Sequence, residues 1–154
     1  MHHQLLFIKQ DLKNYAHIGI GRDDGKEKGE YSAIFYDSLK FNVKVQATFW
    51  LSPTPDTVSK AWGANINRIC TYGLFQSKKS KKYFWVFNTH FDHQSALARA
   101  ESAKLIMAKI ATLNKVEQYP VIFTGDLNAQ PTDEPVVHVL SMMDNARTIS
   151  TQPP

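Results

Sequence analysis

Two short polar clusters carry residue types able to act on a bound ligand. The first is Gly125-Asp-Leu-Asn128, inside Tyr119-Pro-Val-Ile-Phe-Thr-Gly-Asp-Leu-Asn-Ala-Gln-Pro131. Asp126 and Asn128 stand two residues apart just past an apolar run, so on an extended backbone they aim an acceptor and a donor the same way. Taken alone, the stretch also reads as an ordinary turn, since Gly, Asp and Asn all favour turns. The second cluster is Asn88-Thr-His-Phe-Asp-His93. His90, Asp92 and His93 have a spacing compatible with a metal at a strand end, but no second group of His or Cys completes a tetrahedral zinc cage. Asp126 and Asn128 are hard oxygen donors of the kind that suit magnesium, manganese or calcium. Glu30 follows Gly29 and opens a strand candidate. It would form a proton-transfer pair with His90 if their strands are neighbours, and it also reads as a solvent-facing strand residue.

These residues need elements to position them, and the pattern predicts several. Val121 to Phe123 reads as a buried strand ending at Gly125. Tyr83 to Phe87 is a strand that Asn88 to His93 closes, and Arg68 to Phe75 is its hairpin partner across Lys78-Lys79-Ser80-Lys81-Lys82. Gln94 to Asn114 is the longest predicted helix, with Leu97, Leu105, Ala108 and Ile110 among its apolar positions. Phe41 to Phe49 alternates with period two, as a half-buried strand does. Tyr31 to Tyr36 and His17 to Ile20 are further strand candidates, separated by the charged, glycine-punctuated loop Gly21 to Gly29. Leu5, Leu6, Ile8 and Leu12 give a short helical pattern with no capping residue ahead of it. Ser52 to Asn67 reads as irregular or a short helix near Trp62, and Val136 to Met142 as a short helix. Hairpin strands followed by strand–helix–strand predict mixed α/β layers, in which ligands gather at strand ends.

The 154 residues are enough for one domain with a core, and 43% hydrophobic content argues against disorder. We take residues 1–154 as a single domain. No apolar run approaches the ~20 residues that span a bilayer, and the first residues do not read as a signal peptide. The single cysteine, Cys70, excludes an internal disulfide framework and reads as a small buried residue. A net charge of +4 is compatible with a polyanionic partner, although the lysine run alone reads as a solvated hairpin tip.

Five blocks, in order, resemble the endonuclease/exonuclease/phosphatase superfamily, and its bacterial deadenylase-related branch in particular. They are Gly21-Arg-Asp-Asp-Gly; Gly29-Glu-Tyr-Ser-Ala-Ile-Phe-Tyr; Phe49-Trp-Leu-Ser-Pro-Thr-Pro-Asp with Arg68-Ile-Cys-Thr; Asn88-Thr-His-Phe-Asp-His with Ala98-Arg99; and Ile122-Phe-Thr-Gly-Asp-Leu-Asn-Ala-Gln-Pro. The resemblance implies a DNase I-like α/β sandwich of two mixed, mainly antiparallel sheets flanked by helices. It implies a Mg²⁺-dependent (or Mn²⁺-dependent) phosphodiesterase, nuclease-like in type, with nucleic acid or another phosphodiester as partner. Lipid or inositol phosphates are the alternative substrates. By the same resemblance, Asp126 orients or deprotonates the attacking water, Asn128 holds a phosphate oxygen, and His90 contacts the scissile phosphate. Glu30 falls where a glutamate pairs with that histidine. Arg68 resembles a substrate-facing arginine. Arg22, Asp23 and Asp92 belong to the bacterial motifs without an assigned role; Arg22 and Asp92 are grouped with Arg68 as candidate substrate-binding residues.

Two parts of the family pattern are missing from the sequence. One is the glutamate that acts as principal metal ligand, in a Gln-Glu motif ahead of the first helix. The other is the closing Ser-Asp-His motif. The expectation is a partial sandwich, incomplete at both termini, with exposed sheet edges open to self-association. A catalytically impaired fragment or interaction module of this fold is therefore the alternative to an enzyme.

Overall fold

The structure, a computed structural model, describes residues 2–151. In chain order its elements are α1 (His2–Asp11), β1 (Tyr15–Ile18), β2 (Ile34–Asp37), β3 (Phe41–Trp50), β4 (Ile69–Ser77), β5 (Tyr83–His90), α2 (Ala96–Leu113), β6 (Val121–Asp126), α3 (Glu134–Leu140) and α4 (Ala146–Ile149). Four strands form one sheet in the order β3-β4-β5-β6, and β1 pairs with β2 in a second. All pairings are antiparallel except β5 with β6. That exception follows from chain order, because a helix-length connection, α2, lies between the two strands and parallel neighbours need such a crossover. The result is the mixed α/β arrangement that the pattern predicts.

Strand alternation sorts the large sheet into two faces. Phe49, Cys70, Tyr72, Trp85 and Phe87 point to one face and pack with Ala103, Ile106, Met107 and Ile110 of α2 in a single buried cluster. Cys70 is wholly buried there, and burial pushes its thiol far above the ordinary range. The opposite face carries Thr71, Gly73 and Phe75 of β4, against which β1 lies closely. A Cβ on Gly73 would meet the Ile18 side-chain tip, Cδ1, at 2.7 Å, so β1 and β4 are packed closely there. By the same alternation Asn88 and His90 of β5, and Asp126 of β6, leave the α2 face and emerge on the other one.

Several predicted boundaries move, for readable reasons. The His17–Ile20 strand becomes Tyr15–Ile18, because Gly19 turns to a φ of +121°. The Tyr31–Tyr36 strand starts only at Ile34; before it, the Ala33 carbonyl accepts from Asn88 Nδ2 at 2.9 Å, a side chain rather than a ladder partner. Ser52 to Asn67 is irregular, one of the two alternatives read there, with the Ser52, Thr54 and Ser59 hydroxyls bonding one another and nearby backbone. The α1 pattern does fold as a helix, but only Leu5 of its apolar residues is buried, while Leu6, Phe7 and Ile8 are exposed. The short helix α4 had no predicted counterpart.

The β5–β6 pairing closes with Thr89 opposite Gly125 and His90 opposite Asp126. Gly125 has a φ of +141°, and a Cβ there would fall 2.0 Å from the Thr89 carbonyl oxygen. A side chain at this position would both strain the backbone and force the strands apart. Gly125→Ala should therefore lower unfolding stability by about 1–3 kcal/mol or more, read as a lower urea midpoint. An unchanged midpoint would contradict the close approach.

Candidate active site

The corner where β5 and β6 end is built by four local devices. The Asp126 carbonyl accepts the Phe91 N–H at 2.9 Å, which carries the pairing one residue past the strands. Asp126 Oδ1 accepts the Asn128 N–H at 2.8 Å, and Asn128 adopts a φ of +47°. This is a side-chain-closed turn, not an extended strand end. The expected parallel projection of Asp126 and Asn128 is therefore replaced by a turn that folds Asn128 back toward β5. There Asn128 Nδ2 donates to the Phe91 carbonyl at 2.9 Å through one of its two N–H groups. Fourth, His90 Nε2 lies 3.7 Å from Asp126 Oδ2, with both side chains partly open to solvent.

Behind this corner the chain is held by Asp92. Its side chain is buried, with Oδ1 accepting from the Gln94 and Ser95 N–H groups at 2.9 and 2.8 Å. Ser95 in turn caps α2 by accepting the Ala98 N–H at 3.1 Å. Arg99 Nη1 donates to the Asp92 carbonyl at 3.0 Å, and Arg68 Nε sits 3.5 Å from Asp92 Oδ2. Burial alone would raise the Asp92 pKa, but the Ser95 and Gln94 N–H groups and Arg68 outweigh it and hold the carboxyl below its ordinary value. Arg68 also reaches His93 Nδ1 through Nη2 at 2.9 Å. Its side chain is only 4% exposed.

Glu30 and His90 line one cleft of about 340 Å³, together with Arg22, Arg68, Tyr31 and Asn88. Glu30 Oε2 is ion-paired with Arg22 Nη1. The partner that His90 meets directly is Asp126. Glu30 still acts on the histidine through space. Burial holds the His90 pKa below its ordinary value, Arg68 pushes the same way, and Asp126 and Glu30 pull it up without reversing the shift. His90 is accordingly a neutral imidazole near pH 7, able to donate from one ring nitrogen and accept at the other. The structure thus brings His90, Asp126 and Asn128 to one corner. Glu30, Arg22 and Arg68 line the adjoining cleft, and Asp92 lies beneath both. The framing roles of Ser95 and Arg99 were missed by sequence reasoning; the capping pattern from Asp92 to Ser95 was the available signal.

The donors for a divalent cation are few. Among the described residues no three His, Cys, Asp or Glu side chains converge as a metal-holding group. Asp126 already spends one oxygen on the Asn128 turn. Asp126 and Asn128 do not by themselves make a magnesium site, which takes six oxygen donors in near-octahedral geometry.

No family model matches the sequence. The chain is similar to a mannosyl-6-phosphatase of Bacteroides thetaiotaomicron, with 45% identity and a TM-score of 0.89 over 90% of this chain and 52% of that one. It is similar to an endonuclease/exonuclease/phosphatase protein of Bacteroides vulgatus at 39% identity and a TM-score of 0.87, over 92% and 54% of the two chains. An uncharacterized protein of Acanthamoeba polyphaga mimivirus is 29% identical over 122 residues, or 77% of this chain and 45% of that protein. The chain spans about half the length of the proteins it matches.

The electrostatics of the corner give a test with a definite sign. In an NMR titration His90 should titrate below 6.5, the ordinary histidine value. Asp126→Asn should lower the midpoint further, because it removes a charge that favours the imidazolium. A midpoint above 6.5, or a rise in Asp126→Asn, would contradict the arrangement.

Proposed function

Because the chain belongs to the endonuclease/exonuclease/phosphatase superfamily and carries part of its DNase I-like α/β sandwich, we propose that it binds and hydrolyses a phosphate ester at the β5–β6 corner. The observation that carries this reading is the level ending of two parallel strands with His90 and Asp126 in register. Hydrolysis of a phosphoester needs a positioned water, a group to take its proton, and donors for the phosphoryl oxygens. Asp126 Oδ2 is left open beside His90 and is the acceptor for the water's proton. Neutral His90 donates to a phosphoryl oxygen; as the water's oxygen bonds to phosphorus the ester P–O bond breaks, and the leaving alkoxide takes a proton from solvent. Asn128, fixed by its bond to the Phe91 carbonyl, borders the same space. Mg²⁺ or Mn²⁺ would require donors beyond Asp126 and Asn128, so the reading rests on what the side chains themselves do.

A sugar-sized phosphate monoester is the substrate class we favour. The cleft adjoining the corner, about 340 Å³, lies at the small end of ligand sites and has an apolar wall of Leu5, Ile8 and Phe35. The relative with 45% identity is a mannosyl-6-phosphatase. The nuclease reading keeps the same catalytic residues and changes the substrate. Its difficulty is charge placement: Lys78, Lys79, Lys81 and Lys82 sit at the β4–β5 tip, at the opposite end of β5 from His90. At ~3.3 Å per residue that is roughly 23 Å from the corner.

A substrate panel tests the reading: a sugar 6-phosphate, an inositol phosphate, bis(p-nitrophenyl) phosphate and an oligonucleotide, each with Mg²⁺ or EDTA. Turnover should be greatest on the sugar phosphate and fall ~10²–10⁴-fold in Asp126→Ala and in His90→Ala. Turnover that survives both substitutions would overturn the residue assignment. Phosphate binding with no turnover on any substrate would favour the interaction-module reading.

A further inference from the structure

His93 follows the corner closely in the chain, yet its ring sits on Arg68 rather than on His90 or Asp126. Arg68 Nη2 lies 2.9 Å from His93 Nδ1. An arginine stays protonated and has no acceptor, so this bond has one polarity: Arg68 donates and the Nδ1 lone pair accepts. In a neutral imidazole the proton is then on Nε2. The side chain that fixes this tautomer is itself only 4% exposed and lies against Asp92. His93 is exposed, and its Nε2 has no protein partner among the described residues. Arg68 lines the cleft, so a ring seated on its Nη2 stands at the cleft rim.

The rim beside His93 is held in place from several sides. Asn65 Nδ2 donates to Gln94 Oε1, and Lys60 Nζ donates to the Asn65 carbonyl at 2.8 Å. Ser95 Oγ donates to the Trp62 carbonyl at 2.6 Å, and Trp62 has a φ of +57°. A bulky residue keeps that left-handed conformation only where its surroundings fix it. Farther along, Asn67 Nδ2 donates to Asp23 Oδ1 at 3.3 Å, and the same oxygen lies 3.8 Å from Arg22 Nε. The segment between β3 and β4 is thus tied to the start of α2 and to the Arg22 loop. It gathers the amides of Asn65, Asn67 and Gln94, the half-exposed Asp23 carboxylate and the fixed imidazole N–H. Neutral donors and acceptors at set positions suit hydroxyl groups, each of which both donates and accepts. A carboxylate on the same rim disfavours a second anion there.

We propose that His93 is a specificity-determining residue: with its tautomer set by Arg68, its Nε2–H donates to a hydroxyl on the alcohol half of the phosphoester, beside the Asn65–Gln94 amide pair. The inference rests on the proposed phosphoester function for its ligand. Arg68 also defines what His93 does not do. With Nδ1 occupied, loss of the Nε2 proton would leave an anionic ring, so His93 keeps its proton and is a hydrogen-bond donor rather than the acid for the leaving oxygen. Arg68 acts here as a positioning residue.

Two measurements on the full chain test this. The first is ¹⁵N NMR of labelled histidine, in which His93 should show a bare Nδ1 and a protonated Nε2; the opposite tautomer would overturn the inference. The second compares a hexose 6-phosphate with p-nitrophenyl phosphate, which has no hydroxyl. His93→Asn keeps an acceptor for Arg68 but cannot reach the Nε2 position. It should lower the preference for the sugar ester about fivefold to tenfold, through KM more than kcat. One monodeoxy hexose 6-phosphate should be handled alike by His93→Asn and the parent chain, which identifies the hydroxyl. An equal loss on both esters, or no loss on either, would overturn the assignment. If no ester is turned over, the hydrolase reading falls and binding decides the rest. A His93 Nε2 shift on adding hexose 6-phosphate or methyl hexoside, but not inorganic phosphate, supports the inference; no such shift overturns it. Turnover of the sugar ester indifferent to His93→Asn leaves the hydrolase reading and removes the role of His93.

Discussion

The architecture of the corner depends on one close approach of backbone to backbone. At the end of β6, Gly125 passes so near the Thr89 carbonyl that no side chain fits between them. Because it passes there, β5 and β6 stay paired to their last residues, and His90 and Asp126 emerge level on the same face. The N–H of Phe91 then bonds the Asp126 carbonyl, and Asn128 folds back onto the Phe91 carbonyl. A bulkier residue at 125 would splay the strand ends, and each of these contacts would lose its partner. The glycine is thus a geometric condition for the site rather than a member of it.

A second layer fixes the same corner from below. The helix α2 begins six residues past His90; Asp92 accepts the N–H groups of Gln94 and Ser95 just ahead of it, and Ser95 accepts that of Ala98 in its first turn. Asp92 in turn is held by Arg68, reached from the start of β4 across the sheet. A buried ion pair of this kind is weak as a source of net stability, because desolvation offsets most of the attraction. Its use here is positional. Removing either partner would leave an uncompensated charge beneath the strand ends, so the pair ties the helix start, the cleft floor and the corner into one unit. Arg68 therefore serves the framework whatever it also offers a ligand.

Much of this was legible in the sequence. Period-two alternation marked β3, the apolar run marked β6, and the long helical pattern between two strands marked α2 and the mixed α/β layering. The polar clusters at Asn88–His93 and Gly125–Asn128 were recognisable because strand ends are where such residues gather. What could not be read is how side chains pair across distance in the chain. Glu30 reads as a partner for His90 but ion-pairs Arg22 from its own loop, and Arg68, which lines the cleft, also reaches Asp92 and His93 beyond the start of β4. The Asn128 turn was also hidden, since a positive φ at an asparagine leaves no periodic trace. These are tertiary choices made after the elements form, and local pattern does not encode them.

The central claim is that the ends of β5 and β6 form a phosphate-binding corner. The most direct measurement is a crystal structure of the chain soaked with vanadate, a trigonal-bipyramidal mimic of phosphoryl transfer. Vanadate oxygens should lie within hydrogen-bond reach of a His90 ring N–H and of Asn128 Nδ2, with one apical oxygen facing Asp126. Vanadate bound only at the lysine-rich tip between β4 and β5, or a corner left empty while the anion sits elsewhere on the sheet, would contradict it.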